Sequence, residues 1–522
     1  MPDLLDSPAM NLDAKSIASL LESFVAETPH AVVIENGAVL FDLSRARYSL
    51  STDHDKCVLH LWSDERNTVR RVLAAETKNG VLRLQVMRFG QPRPSHLEIC
   101  PNRDSRTPTA RKAARTVYEQ RLQRVLELKF PGFKIPRLTS AMDLEQSFGP
   151  VYARGLLHRG RGAFAVVGVN AQETQASVDG ALTCGILWLD SCRLSDATAR
   201  LQVEGLKLFV PPGTSELTRQ RMARLNRGTA KWRLYEFDER EEEFRAIDSA
   251  DRGNVATRLI HCPDINAAHE RFANSIRRVQ TLFGESDVVP LSASEIAFRW
   301  NGLEFARART VFVAGSFRGG EEIVFGVGPA ETVLDESNEP DLVTLVQRMK
   351  EARQPHAPRA NLLWRMHPER WLESLVIRDV AGLDERLDAT CVYSQVPAFS
   401  AADRAMIDVL TVTRAGRLAV IELKAEEDIH LPLQGLDYWT RVEWHHARGE
   451  FQRMGYFAAR ELSPEPPLLL LVAPALHVHP ATDVLLHYIS PEIDWTLIGI
   501  DEHWREGIRV VFRKRPERFA AA

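Results

Sequence analysis

The sequence predicts an α/β chain in which one architectural unit occurs twice, each time behind a β-rich region. Three observations carry that reading: an internal repeat, the order of strand-like and helix-like hydrophobic patterns within each copy, and a composition able to fill several cores. The chain has 522 residues, 44% hydrophobic and 26% charged, an ordinary globular composition with length for roughly three or four domains. Its 66 Lys and Arg against 70 Asp and Glu leave a net charge of −4, so a polyanion-binding surface has to be a local patch. No apolar run approaches the ~18–20 residues of a membrane span, and the acidic N-terminal stretch lacks the apolar segment of a secretory signal. A cytoplasmic protein without a membrane partner is expected. The six cysteines form no CxxC and read as small buried hydrophobes in a reducing compartment. His477 and His479 stand between Pro474 and Pro480, where surface histidines are the expectation rather than a metal site.

The repeat sets AFAVVGVNAQE (163–173) beside RLAVIELKAEE (417–427), with Ala165, Val166, Ala171 and Glu173 on Ala419, Val420, Ala425 and Glu427. At the same offset of 254, Glu119 in a helical stretch meets Glu373 in another. Downstream, LKLFVPP (206–212) resembles LLLLVAP (468–474), and KWRLYEFDE (231–239) resembles DWTLIGIDE (494–502). A fainter echo upstream pairs FDLSRAR (41–47) with LEFARAR (303–309) and Ala75-Glu76-Thr77 with Ala330-Glu331-Thr332. Four domains follow: a β-rich region over 1–108, an α/β unit over 109–248, a β-rich region with a leading helix (267–283) over 259–352, and a second α/β unit over 362–522. Polar stretches at 249–258 and 353–361 read as linkers, and the basic FRKRPERF end as a solvated tail.

In the last unit the 3/4 spacing of Leu372, Leu375, Val376 and Val380 predicts a helix over 368–380. VYSQVPAF (392–399), MIDVLTV (406–412) and RLAVIELKA (417–425) read as strands, the last two joined by the turn Arg414–Arg417. A helix around 432–446 and the apolar strand LLLLVAP follow. Asp408 interrupts one apolar strand and Glu422 the next. Strand alternation puts Glu422 and Lys424 on one face, with Asp408 across the hairpin. Two carboxylates and an ammonium at one strand end suit a hard cation. Magnesium there can polarise a phosphoryl group and lower the pKa of its water, with Lys424 holding the attacking water or the developing charge, helped where the cation depresses its pKa. Acid-x-Lys alone is uninformative, since it recurs at Asp13-Lys15, Glu76-Lys78 and Glu127-Lys129.

Asp408, then Glu422-Leu423-Lys424, then Gln434 and Tyr438 one helical turn apart together resemble the PD-(D/E)XK nuclease superfamily, in particular members with a trailing QxxxY. The resemblance covers about 150 residues, 365–515, and Ile407 stands where the name-giving proline would be. It implies a restriction-endonuclease-like mixed sheet flanked by helices and Mg²⁺- or Mn²⁺-dependent phosphodiester hydrolysis. By position it makes Asp408, Glu422 and Glu373 the metal ligands, Asp408, Glu422 and Lys424 the catalytic set, and Gln434 and Tyr438 supporting or DNA-contacting residues. Under the repeat, Asp408, Glu422 and Lys424 meet Arg154, Gly168 and Asn170, and Gln434 and Tyr438 meet Asp179 and Thr183, so the first copy is expected to be a degenerate, catalytically dead nuclease-like domain. The expected partner is nucleic acid, most of all DNA, in repair or defence against foreign DNA, with a homodimer or an accessory defence or repair protein as further partners. Arg154, Arg159, Arg161, Arg414, Arg417, Arg441 and Arg448, with Tyr438, Trp439 and Trp444 interleaved, are candidates for the phosphate path. Two other readings are a nuclease-like binding module without catalysis, and an RNase or a nuclease gated by a ligand.

Overall fold

The computed structural model describes residues 13–516 except 29–30, 36–37, 44–45, 54–55, 63–66, 79–80, 88–93, 101–107, 144–147, 254, 313–318, 329–330, 401–405 and 459. It is a mixed α/β protein, with four sheets among the described residues. Residues 32–100 form a seven-stranded antiparallel sheet covered by the helix Ala14–Glu27. Ile17 and Leu21 on the helix pack on Leu59, Leu61, Leu82, Leu84 and Val86. A second accessory sheet, a five-stranded antiparallel meander over 287–333, is covered by the helices Ala273–Phe283 and Glu339–Ala352. The two accessory sheets differ in strand number and cover, so the fainter upstream echo has no counterpart in topology. Its Ala330 lies outside the described residues. The single leading helix expected over 267–283 is two, Ile265–Arg271 and Ala273–Phe283, broken at Phe272, which is wholly buried and anchors the break in the core.

The first α/β unit runs α1 (Pro108–Lys129), β1 (Ala153–Arg159), β2 (Gly162–Gly168), α2 (Ala181–Leu194), β3 (Gln202–Val210), α3 (Glu216–Met222), β4 (Lys231–Asp238) and β5 (Glu243–Ile247). β1 is antiparallel to β2, β2, β3 and β4 are parallel, and β5 is antiparallel to β4. The chain then passes through β6 (Thr257–Leu259) to α4 (Pro368–Arg378), β7 (Tyr393–Ser400), β8 (Met406–Val412), β9 (Leu418–Leu423), α5 (Leu431–Ala447), β10 (Leu468–Pro474), α6 (Thr482–His487), β11 (Trp495–Ile500) and β12 (Val510–Lys514). From β8 to β12 the order and sense repeat those of β1 to β5: antiparallel, parallel, parallel, antiparallel. β9 and β10 are buried along their whole length, as strands covered by helices on both faces must be.

Both expected linkers are built in. The polar stretch 249–258 leads directly into β6, whose ladder pairs Thr257 with Ser400 and Leu259 with Ala398, so it gives the last sheet its edge strand. Arg353, at the start of the other, is wholly buried. Its guanidinium donates to the carbonyls of Leu363, Met366 and Asn301 and lies over the Trp371 ring. The start of the expected C-terminal tail is also strand, since Phe512–Lys514 belong to β12, and residues 517–519 lie outside the described residues.

The two α/β units share one hydrophobic core, in which Leu189, Met222 and Leu225 meet Leu433, Leu436, Leu485 and Tyr488. α2 packs on α6 and α3 on α5. At the seam Leu225 and Ile489 form an antiparallel bridge. Asn226 N–H donates to the Tyr488 carbonyl and Ser490 N–H to the Arg224 carbonyl, both at 2.8 Å. Each partner follows the corresponding helix of its own unit, so the contact is reciprocal, like that of an isologous dimer. Arg221 on α3 forms two hydrogen bonds to the Asp437 carboxylate on α5, at 2.9 and 2.7 Å.

Candidate active site

The β8–β9 ladder pairs Val409 with Ile421 and ends there, which places Asp408 opposite Glu422. Asp408 Oδ2 accepts the Leu423 N–H at 3.0 Å, so a side chain completes the edge where the backbone ladder stops. Glu422 is 0% exposed, and neither carboxylate oxygen accepts a hydrogen bond. The Lys424 Nζ stands 3.3 Å from Glu422 Oε1, 3.7 Å from Glu369 and 4.0 Å from Asp428; the approach to Glu422 is close enough for a charge contact but lacks the alignment of a hydrogen bond. α4 supplies Glu373, nearly buried, whose Oε2 takes an ion pair from Arg370 at 3.0 Å. α5 comes against β9 with Gln434 Nε2 3.3 Å from the Tyr438 hydroxyl, and the buried Tyr438 phenol is raised by burial and then by Glu422.

Gln395 joins the acids. Its amide donates to Glu373 Oε2 at 2.9 Å and to Asp408 Oδ1 at 3.4 Å. The ladder from β7 to β8 skips it, and its φ of 51° lies in the left-handed region, which costs a non-glycine residue on the order of 1 kcal/mol. This interruption of the ladder, opposite Asp408, turns the amide between two carboxylates. We expect Gln395→Ala to lower the activity this site supports about 10–100-fold, the usual effect of removing a residue that orients a ligand, with the melting temperature little changed. A melt that collapses along with the rate would assign Gln395 to the fold alone.

Burial raises all four acids. It lifts the Glu422 carboxyl well above the ordinary range, with Asp408 adding to the effect, and raises Asp408 and Glu369. Glu373 is pushed up to about 7, chiefly by burial. For Lys424 burial opposes the charge, but Glu422, Glu369, Asp408 and Asp428 outweigh it and its pKa is raised. The surrounding carboxylates therefore favour the ammonium. A cavity of about 280 Å³ reaches Glu373 from the side of the second accessory sheet, lined also by Arg299, Arg370 and Ser394. On its rim the turn Asn301-Gly302 presses on α4: a Cβ at Gly302, whose φ is 74°, would come 2.0 Å from the Arg370 carbonyl oxygen.

The first unit keeps the helix acid as Glu119 and differs at the other positions. With Gly168 set on Glu422, the residue across the ladder is Ala153 rather than Arg154, because between equivalent positions the β1–β2 hairpin is one residue longer than the β8–β9 hairpin. A Cβ at Gly168 would meet the Tyr118 hydroxyl at 2.4 Å and Leu122 at 2.8 Å, so α1 fills the space. The Tyr118 hydroxyl is buried without a partner. Asn170 Oδ1 accepts the Gln172 N–H, Asp179 takes Gln175, and Glu119 accepts the Ser140 N–H. Thr183 faces His430 across the seam.

Several residues expected on a phosphate path are structural. Arg154 is 2% exposed and donates to the carbonyls of Gly149 and Ala141. Arg441, Tyr438 and Trp439 are buried, and the Trp439 indole donates to Pro467. Arg414 and Arg417 sit at the far end of β8 and β9 from the acids, roughly 16 Å of strand away, and Arg417 pairs with Asp494. Arg159, Arg161 and Arg448 are exposed. Arg448 stacks on the half-buried Trp444. His477 contacts the Ala425 carbonyl and His479 faces Glu427. All six cysteines are free, four of them buried. Among the described residues no three His, Cys, Asp or Glu side chains converge as a metal-holding group, and no helix is long and apolar enough to cross a membrane.

Sequence reasoning missed Glu369, Asp428, Arg370 and Gln395. Glu369 was within reach, lying one helical turn before Glu373 on the same face.

No known family, curated protein or solved structure matches. The function therefore has to follow from the site itself.

Proposed function

We propose that the last unit is a Mg²⁺-dependent nuclease that hydrolyses phosphodiester bonds in DNA, of the PD-(D/E)XK kind and with the restriction-endonuclease-like fold. The observation that carries the reading is the Glu422 carboxylate, wholly buried, accepting no hydrogen bond and set opposite Asp408 with only the Lys424 charge 3.3 Å away. Burying a carboxyl without hydrogen bonds costs several kcal/mol, a cost that a ligand at the site offsets. The donor set fits a hard cation, because magnesium asks for only one or two carboxylates, its other positions going to water and phosphate oxygens. Asp408 and Glu422 would hold it, with Glu373 as a third oxygen donor, and Gln395 fixes Asp408 and Glu373 in place. When bound, the cation supplies Lewis-acid polarisation of the phosphoryl oxygen and a water of lowered pKa. The Lys424 ammonium donates hydrogen bonds to the non-bridging oxygens, where negative charge grows as water attacks phosphorus and the ester P–O bond breaks.

The first unit fits a degenerate copy. Its strand order and sense support an internal duplication, and Tyr118 in place of a ligand supports a dead site that keeps the pairing surface. One observation favours a binding module without catalysis: among the described residues the acids do not converge three at a time.

Cleavage of linear, circular and single-stranded DNA, and of RNA alongside, with Mg²⁺, Mn²⁺ or EDTA, separates the readings. Metal-dependent cleavage lost in both Asp408→Ala and Lys424→Ala is the expected result. Cleavage that persists in both variants would sink the assignment, and metal binding without cleavage would favour the binding module.

A further inference from the structure

Arg505 follows β11 and lies over three indoles. Its guanidinium is 3.8 Å from the Trp364 ring, 4.1 Å from Trp504 and 5.2 Å from Trp371. Arg359 reaches the Trp364 ring at 5.9 Å, and Arg365 Nε donates to the Arg359 carbonyl. Arg359 and Arg365 are exposed, and Trp364 and Arg505 are half-buried. Among the described residues no carboxylate lies within ion-pair distance of Arg359, Arg365 or Arg505. The Arg505 Nε and the Trp364 indole N–H are buried and donate to nothing.

Stacking covers the faces of a guanidinium and leaves its in-plane N–H groups free, the geometry that takes a phosphate by two parallel hydrogen bonds. Arg359 and Arg505, neither in an ion pair among the described residues, repel each other. That repulsion, after burial, lowers the Arg505 pKa, through Arg359. The cluster is tied to the same unit. Trp371 is on α4, on the face turned away from Glu369 and Glu373, and the field of Glu426, two residues past Lys424, reaches Arg505.

We propose that Arg359, Arg365 and Arg505, with Trp364, form a phosphate-binding subsite that holds the backbone of a nucleic-acid strand away from the acids. The inference rests on the nucleolytic reading above and adds to it a place where the strand is gripped outside the scissile bond.

The test is binding of fluorescein-labelled single-stranded DNA in EDTA, followed by anisotropy over a salt series. It compares wild type, Lys424→Ala, the exposed pair Arg359→Gln/Arg365→Gln, and Arg505→Gln, each with its melting curve. Lys424→Ala should lose one phosphate contact, about 0.7 in the salt slope, and sets the scale of a single-cation loss. The double variant should bind about tenfold more weakly, with the slope of log K against log salt reduced by about 0.7 for each phosphate it no longer neutralises. Unchanged affinity and slope in the folded double variant would overturn the subsite and leave the nuclease reading standing. Full competition by inorganic phosphate would also overturn it, by assigning the arginines to a small anion. Wild type that neither binds nor cleaves DNA or RNA would remove the reading on which the subsite rests.

Discussion

Glu422→Gln should abolish metal-dependent cleavage and at the same time leave the metal-free protein as stable as wild type or more so. The native carboxyl is sealed from water, accepts no hydrogen bond and faces Asp408. A neutral side chain of the same shape removes both the desolvation and the like-charge cost, a gain of about 1–3 kcal/mol by the general behaviour of buried charged groups. Activity should fall at least ~10³-fold, the order reached when a group that stabilises transition-state charge is removed. Thermal melts in EDTA and cleavage rates in Mg²⁺ measure the two effects separately. Magnesium should raise the wild-type melt and leave that of Glu422→Gln unmoved. A variant that is strongly destabilised and still cleaves would show that Glu422 serves the core and not the reaction.

The second large effect is expected at the seam between the α/β units. Arg221→Met should cost about 3–5 kcal/mol, the usual result of removing one partner of a buried ion pair. Arg221 and Asp437 are 9% and 12% exposed at the side chain, and Arg221 also donates to the Asp179 carbonyl. Much of the loss comes from leaving Asp437 charged in a dry site, so Arg221→Met/Asp437→Leu should recover most of it. A double variant no more stable than the single one would mean that the Asp179 contact matters more than the pair. The cleavage rate per folded molecule should change little in either variant, since neither residue touches the acids.

What could be read in the sequence was local. The apolar runs 406–412, 418–423 and 468–474 are strands because Val, Ile and Leu in short unbroken runs suit a sheet covered on both faces. The alternation that sets Glu422 and Lys424 on one side follows from backbone geometry alone, and their 3.3 Å approach agrees with it. What could not be read depends on distant partners. Thr257–Leu259 is a strand only because β7 offers it a ladder, and its polar surroundings advertise a loop. Arg154 looks like a surface charge until the carbonyls of Ala141 and Gly149 close around it. Gln395 is an ordinary polar residue in a strand-like run, and its left-handed turn is imposed by the two carboxylates it joins. The register between the copies failed by one residue at Asp408, because turn length is not visible in matched strands.

The edge strand β6 has a consequence for how the chain assembles. Leu259 pairs with Ala398, and the intervening segment of about 140 residues contains the entire second accessory sheet with its helices. Closing a flexible loop of that length would cost about 4 kcal/mol of chain entropy. The meander over 287–333 needs only neighbouring strands and can form early, as local contacts do. Once folded, it replaces most of the slack with a rigid body and holds the ends of the loop nearer each other. On this view the inserted domain is also a folding aid, and cutting the chain at residue 362 would both remove β6 and leave β7 as an unpaired edge open to association with other chains.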